Sequence, residues 1–391
     1  MPSIRLEDYG ISPTRGFLPD FVPAEVDLPQ ECQPHEKLAR MLPKILTTPH
    51  IRTMVEELPQ VDIKALDLSE PQQHIMMQIY AYLAHAYIWY GDKPAKVLPK
   101  NIARPFYDVA QMVGRPPSLS YASYSMDNWG YIPGKEGTDP VIGNIYLLQN
   151  FLGGLDEDWF ILIHIDIEFK AAPILAAIPG ILDGIDSDDE KQVLDGLLTI
   201  HKGWIELNKT MDRMPEACDP YCYYNRVRPY IHGWKGHPDL PEGLIYEGVE
   251  EYEGKPVQLR GETGAQSSIV PTMDALFQIK HENDPLREYL MEMREYNPPK
   301  HRAFFEDLEG MSTLRDYVEA KKATHPALKD AYNDCVSEIQ AFRTRHLEYA
   351  ASYINRQSPK GNNPTDVGTG GTPFMRYLKK HRDESGKHLL K

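Results

Sequence analysis

Residues 326–354 read PALKDAYNDCVSEIQAFRTRHLEYAASYI. In this stretch Leu328, Tyr332, Cys335, Ile339, Phe342, His346, Tyr349 and Tyr353 recur at steps of four and three. That is the apolar seam of an amphipathic helix, sustained over several turns. One member of the seam is polar. His346 stands where leucine or phenylalanine would be expected, so a rigid helix carries an imidazole toward an apolar interior. A neutral imidazole held there needs partners for its nitrogens. A backbone carbonyl is one such partner and a metal ion is another; the seam alone leaves both open.

The flanking sequence is helical too. Ser69-Glu70-Pro71 is a hydroxyl cap with proline in the first turn. It predicts a helix with Ile75, Ile79, Leu83 and Tyr87 on one face, ending at Gly91-Asp92. Ser187 to Glu190 reads as a capping box opening a helix through Val193, Leu197, Ile200, Trp204, Leu207 and Met211. His35 to Leu58 is helical in pieces, broken at Pro43 and Pro49. Asn144–Leu152 reads as a short helix. Residues 159–182, WFILIHIDIEFKAAPILAAIPGIL, conflict within themselves: Ile163, Ile165, Ile167 and Phe169 alternate with His164, Asp166, Glu168 and Lys170, which by period favours a strand. Strand signals are otherwise few, so the predicted fold class is all-α. With 391 residues, two domains are expected. Pro94, Pro99, Pro105, Pro116 and Pro117 mark the boundary between a small N-terminal helical domain, 1–115, and a large helical domain, 116–391.

A formal net charge of −15 argues against nucleic acid and against an anionic membrane surface, since both need an excess of cations. No run of apolar residues is long enough to span a bilayer, and MPSIRLEDYGISPTRG carries no basic segment followed by an apolar core. The expected location is cytoplasmic. Cys32, Cys218, Cys222 and Cys335 read as reduced thiols, and the C-x3-C pair lacks a second pair for zinc. His232 and His237 reach one metal only through a special loop. Glycine-rich phosphate loops and HExxH are absent.

Arg343 precedes His346 by one helical turn, where it could meet an acidic group of a bound cofactor or simply solvent. Arg226 and Arg228 stand beside aromatics in YCYYNRVRPYIHGW. An arginine at an aromatic wall suits a ligand with both a ring and a carboxylate, although bonding to loop carbonyls is the plainer reading. The GTGGT loop, 368–372, can cap an anion with backbone N–H groups or serve as a flexible tail.

Several blocks in one order carry a resemblance: RPPSLSYASYSMDNW, GWKGHPDLPEGLIYEG, GAQSS followed by Asp274, MREYNPPKHRAFFEDLE, RTRHL and GTGGT. Over nearly its full length, and most densely from Arg115 onward, the chain resembles the indoleamine 2,3-dioxygenase family. The resemblance implies a two-domain helical enzyme holding haem b (iron protoporphyrin IX), the large domain being catalytic. It implies insertion of O2 across the indole C2–C3 bond of L-tryptophan to give N-formylkynurenine, with an external electron donor keeping the iron ferrous and a monomeric state. Alternatives kept beside it are a related oxygenase of another indole or aromatic amino acid, and a haem or indole sensor without turnover.

Carried over by motif, His346 resembles the proximal iron ligand. Arg343 and Asp274 resemble its neighbours at the haem edge. Gly261, Glu262, Thr263 and Gly264 match the loop over one haem face, with Thr263 and Gly264 also toward substrate. Tyr121, Tyr124, Phe160 and Tyr223 match pocket aromatics, Arg228 matches the arginine for the substrate carboxylate, and Thr369 matches the mobile-loop threonine. His164 falls where the animal enzymes have serine and the sister tryptophan 2,3-dioxygenases have a distal histidine. Tyr124 and Tyr223 also depart from the family pattern, replacing a small residue and a phenylalanine. The family fold makes 159–170 a helix, which places Phe160 and His164 on one face and is preferred here over the strand.

Overall fold

In a computed structural model, residues 4–282, 285–357 and 374–391 are described. The chain is predominantly helical, and its helices of ten or more residues are numbered here in chain order. They are α1 (Glu70–Trp89), α2 (Lys100–Val113), α3 (Leu155–Lys170), α4 (Ala172–Asp186), α5 (Glu190–Asp212), α6 (Pro285–Arg294), α7 (Pro299–Met311), α8 (Pro326–Tyr349) and α9 (Phe374–Gly386). Short strand pairs complete it: Val97–Leu98 runs parallel to Ile245–Tyr246, and Gly130–Tyr131 antiparallel to Ile145–Tyr146.

Helix α1 starts as its sequence dictates. Ser69 and Gln72 form a reciprocal capping box, with Pro71 in the first turn where its missing N–H costs nothing. It stops at Trp89, before Gly91. From Ile75 to Trp89 it is buried on every side. The Gln33–Arg40 and Ile51–Glu56 helices, α2, and the 122–126 and 228–231 segments all pack on it. Helix α2 corrects one expectation, because Pro105 lies inside it and not in a proline-broken connection.

Helices α3, α4, α5 and α8 form the body that carries the site, α4 and α8 each packing on α5. Trp204 of α5 meets Phe342 of α8 edge-on at 5.5 Å, and the Cys335 thiol donates to the Leu197 carbonyl at 3.3 Å. Residues 159–170 are helical, as the family pattern implies and against their alternation. The reason is burial on more than one face: Ile161, Ile163, Ile165 and Ile167 are all interior, so apolar residues occupy several helical phases. The polar residues among them have partners. Asp166 accepts from Lys170 and Thr210, each at 2.7 Å, and Glu168 from Ser267 at 2.6 Å.

Other local expectations are corrected. The cap of α5 is Asp189, whose carboxylate accepts from the Gln192 N–H; the Ser187 hydroxyl turns back to Asp183. Asn144–Leu152 is no helix: Ile145–Tyr146 is a strand, and Asn128 Oδ1 accepts the Leu148 and Gln149 N–H groups.

Candidate functional site

The seam of α8 changes character along its length. Leu328, Tyr332, Cys335 and Ile339 are buried, whereas Phe342 and Tyr349 are partly open and His346 is exposed. Yet protein surrounds the His346 ring closely enough that burial, with the His164 ring adding to it, pulls its pKa down to about 4. An exposed ring that is nonetheless closely surrounded lies in a recess, hereafter the hollow. His346 makes no hydrogen bond to any described residue. It is therefore neutral at physiological pH, with a nitrogen lone pair available.

His164 approaches from α3, close enough for its ring to add to the disfavouring of charge on His346. Its environment differs in one respect: the Nδ1–H donates to the Phe160 carbonyl at 2.6 Å, within the same helical turn. That bond fixes the tautomer and leaves Nε2 as an acceptor. Burial lowers its pKa, so this ring is also neutral.

Two glycines with positive φ, Gly153 and Gly154, turn the chain into α3, and Glu157 accepts the N–H groups of Phe151, Leu152 and Gly153 at 2.6, 3.0 and 2.7 Å. So anchored, α3 presents Phe160 and His164, rings 4.6 Å apart, on one face. A wall of rings continues from there. Tyr121 lies 5.7 Å from His164, Tyr223 lies 4.8 Å from Phe160, and Tyr353 lies 5.8 Å from Tyr223 and 5.7 Å from Tyr349. The wall thus joins α3 to the end of α8. Tyr124, 6.3 Å from Phe160, is wholly buried and stacks with Tyr82 and Phe151, extending the wall.

Three π-helical stretches underlie this arrangement: Ala122–Met126, Tyr223–Val227 and Ala350–Asn355. A π turn takes in an extra residue and swings side chains off the α-helical register, a feature common at functional sites. The last is pinned by Tyr349 and Tyr353, whose hydroxyls donate to the Met211 and Cys218 carbonyls at 3.0 and 2.6 Å.

The two glycines of the 261–264 loop differ in their surroundings. A Cβ on Gly264 would meet nothing within 4 Å, so this edge is open. Gly261 is required for a different reason, since a Cβ there would lie 2.1 Å from the Gly233 nitrogen. The loop is fixed by the Glu262 N–H to the Ile231 carbonyl at 3.0 Å and by Gln266, which bonds Gly261 and the Tyr121 N–H, each at 2.9 Å. Thr263 caps the turn through Ala265. Glu262 is buried, and burial raises its carboxyl to about 8. Arg228 is fully buried with its guanidinium 5.6 Å over the Tyr224 ring, and it acts electrostatically on Tyr223 together with Glu262.

Arg343 is not directed to solvent. It is buried and holds Asp274 through two bonds of 2.8 and 2.6 Å, with a further bond to Ser385. Against burial, which raises it, Arg343 and His281 keep the Asp274 carboxyl far below the usual range. Its role is thus to brace α8 beside His346. Thr369 and the GTGGT loop lie outside the described residues. One group escaped the sequence reading: Glu168, a turn beyond His164, is wholly buried, bonds Ser267, contacts Tyr121, and is raised by burial to about 7. Its i+4 spacing from His164 was the available signal.

Together these residues fit a large planar iron cofactor. A neutral imidazole without a hydrogen-bonding partner among the described residues, close to a wall of aromatic rings, suits haem iron and its flat ring.

Comparison with known proteins agrees. Residues 5–388 match the family model described as indoleamine 2,3-dioxygenase. The chain is 35% identical to rat indoleamine 2,3-dioxygenase 1, covering 98% of this chain and 96% of the relative. It is 30% identical to human indoleamine 2,3-dioxygenase 2 (99% and 96% covered) and 31% identical to indoleamine 2,3-dioxygenase of Saccharomyces cerevisiae (97% and 92%).

Proposed function

Because the chain belongs to the indoleamine 2,3-dioxygenase family, we propose that it is a haem b enzyme that opens the indole C2–C3 bond of L-tryptophan with O2, giving N-formylkynurenine. One observation supports this most: two neutral imidazoles on different helices, α8 and α3, lie near one another beside an aromatic wall, one with its Nδ1 committed to backbone and one with no hydrogen-bonding partner among the described residues. In this reading His346 holds the iron, and Gly264 lets the cofactor pass close to the 261–264 loop. Bound haem supplies the oxygen activation that side chains lack.

The remaining work is positioning. Arg228, buried against rings, pairs with the substrate carboxylate by charge-assisted hydrogen bonds, which are strong because water is excluded. Phe160, Tyr223 and Tyr121 hold the indole plane. His164 accepts the indole N–H at Nε2 and orients the ring; it is a positioning group and no proton acceptor is required of it. Holding substrate in a reactive geometry in a dry pocket accounts for much of such catalysis. An external donor keeps the iron ferrous. Among the described residues no helix is long and apolar enough to cross a membrane.

The buried Glu262 carboxyl and the Tyr223 hydroxyl favour a second reading, the same chemistry on an indole bearing an extra polar group. One experiment separates the two. Haem-loaded protein with ascorbate, a redox mediator and an indole panel is assayed by product mass. L-tryptophan gaining two oxygen atoms supports the first reading, and turnover confined to a substituted indole overturns it.

A further inference from the structure

Away from the hollow, three donor groups converge under the C-terminal helix. His381 and Glu384 stand three residues apart on α9, which puts them on one face. His281 approaches from the segment after the Ile269–Leu276 helix. Ligand atoms of these three residues all lie within 4.8 Å of one another. His381 and Glu384 are more than nine-tenths buried, and the two imidazoles stack with centroids 4.3 Å apart. His281 bridges two carboxylates, Nδ1 meeting Glu384 at 2.6 Å and Nε2 meeting Asp274 at 3.1 Å. The second Glu384 oxygen, Oε1, is buried without a hydrogen bond, and Lys380 stands 3.6 Å from it while pairing with Glu282 at 3.0 Å.

Two imidazoles and a carboxylate, with a second carboxylate adjacent, are the donor set of a borderline divalent transition ion. We propose that His281, His381 and Glu384 form a binding site for a divalent transition-metal ion of the zinc class, with Asp274 as fourth ligand or as hydrogen-bond partner of His281. The ion would tie α9 to the Asp274–Arg343 pair, one turn from His346 on α8, and so clamp the C-terminal helix against the site-bearing helix. Imidazole nitrogens bind a cation only when free of protons, so affinity falls as pH falls. The inference stands on this cluster alone and does not depend on the reaction proposed above.

The test uses the full chain, haem-loaded, titrated calorimetrically with ZnCl2 at pH 7.5 and pH 5.5, with a thermal melt at each pH. Expected are one saturable equivalent, a melting temperature raised by zinc, and weaker binding at the lower pH. His381→Ala and Glu384→Gln should each weaken binding by at least ~10-fold, the scale seen for loss of a group supporting a metal site. His237→Ala, which alters the separate His232/His237 pair, should leave it unchanged. His381→Asn keeps a polar side chain of similar reach and guards against simple unfolding: folded by circular dichroism yet zinc-blind, it supports the site. Zinc binding that persists in folded His381→Asn, or is lost in His237→Ala, overturns the proposal, as does absence of a saturable equivalent in the unaltered chain.

Discussion

His164 and His346 make an informative pair. Both are neutral imidazoles on long helices, both are desolvated, and they lie near one another. They differ in a single bond: His164 gives its Nδ1–H to a carbonyl one turn back, while His346 gives nothing to any described residue. A ring already anchored by backbone is suited to accept a hydrogen bond from a ligand. A ring with no protein partner, on a helix braced by Arg343 and Asp274, is suited to be a ligand. Rotational freedom and lone-pair availability thus assign different work to chemically identical side chains.

The sharpest way to break this comparison is to remove each ring in turn. His346→Ala should abolish retention of haem, read as loss of the haem absorbance after gel filtration, and reduce turnover by more than the ~10–100-fold typical of losing an outer partner of a metal site. If His164→Ala did this and His346→Ala did not, the assignment would be reversed. Arg228→Leu should touch neither histidine's signature. Loss of a hydrogen bond to a charged group, about 1.5–3 kcal/mol, predicts a KM for tryptophan raised roughly 10–150-fold with haem content intact. His164→Ala should retain haem and lose a neutral hydrogen bond of about 0.5–1.5 kcal/mol, a roughly 2–12-fold fall in kcat/KM. The diagnostic is 1-methyltryptophan, which lacks the indole N–H. The unaltered enzyme should discriminate against it, and the variant should not.

A further effect, on stability and not on turnover, concerns Glu168, next along the His164 face. Burial raises its carboxyl to about 7 from 4.5, so the folded state holds the proton more tightly than the unfolded chain does. Its stability contribution is therefore complete below pH 4.5 and is lost as pH rises to about 7. Glu168→Gln should flatten the fall in stability across that window, by about 3 kcal/mol at most, measured by urea unfolding at several pH values. An unchanged pH profile would show that Glu168 is charged in the native state.

Much of this was legible in the chain. The Ser69 cap, the α5 face from Val193 to Met211 and the α8 seam obey local rules that tertiary contact leaves intact, and ordered blocks from Arg115 to RTRHL mark the family. The misreadings fall where burial or long-range bonding overrides local preference. The isoleucine alternation in α3 mimics a strand because that helix is interior on several faces. Ser187 lost its cap role to Asp189, and Pro105 sits inside α2 despite its cost to a helix.

By itself the sequence determined that the chain is helical, which residues repeat along each helix, and that an imidazole interrupts the apolar seam of α8. It could not say what His346 meets. Helix periodicity specifies a direction from one axis, whereas a site requires several axes brought together. Only the packing of α3 and α8, with three π turns rotating side chains off register, brings His164 near His346. The same packing commits Arg343 to Asp274 and leaves His346 without a protein partner among the described residues.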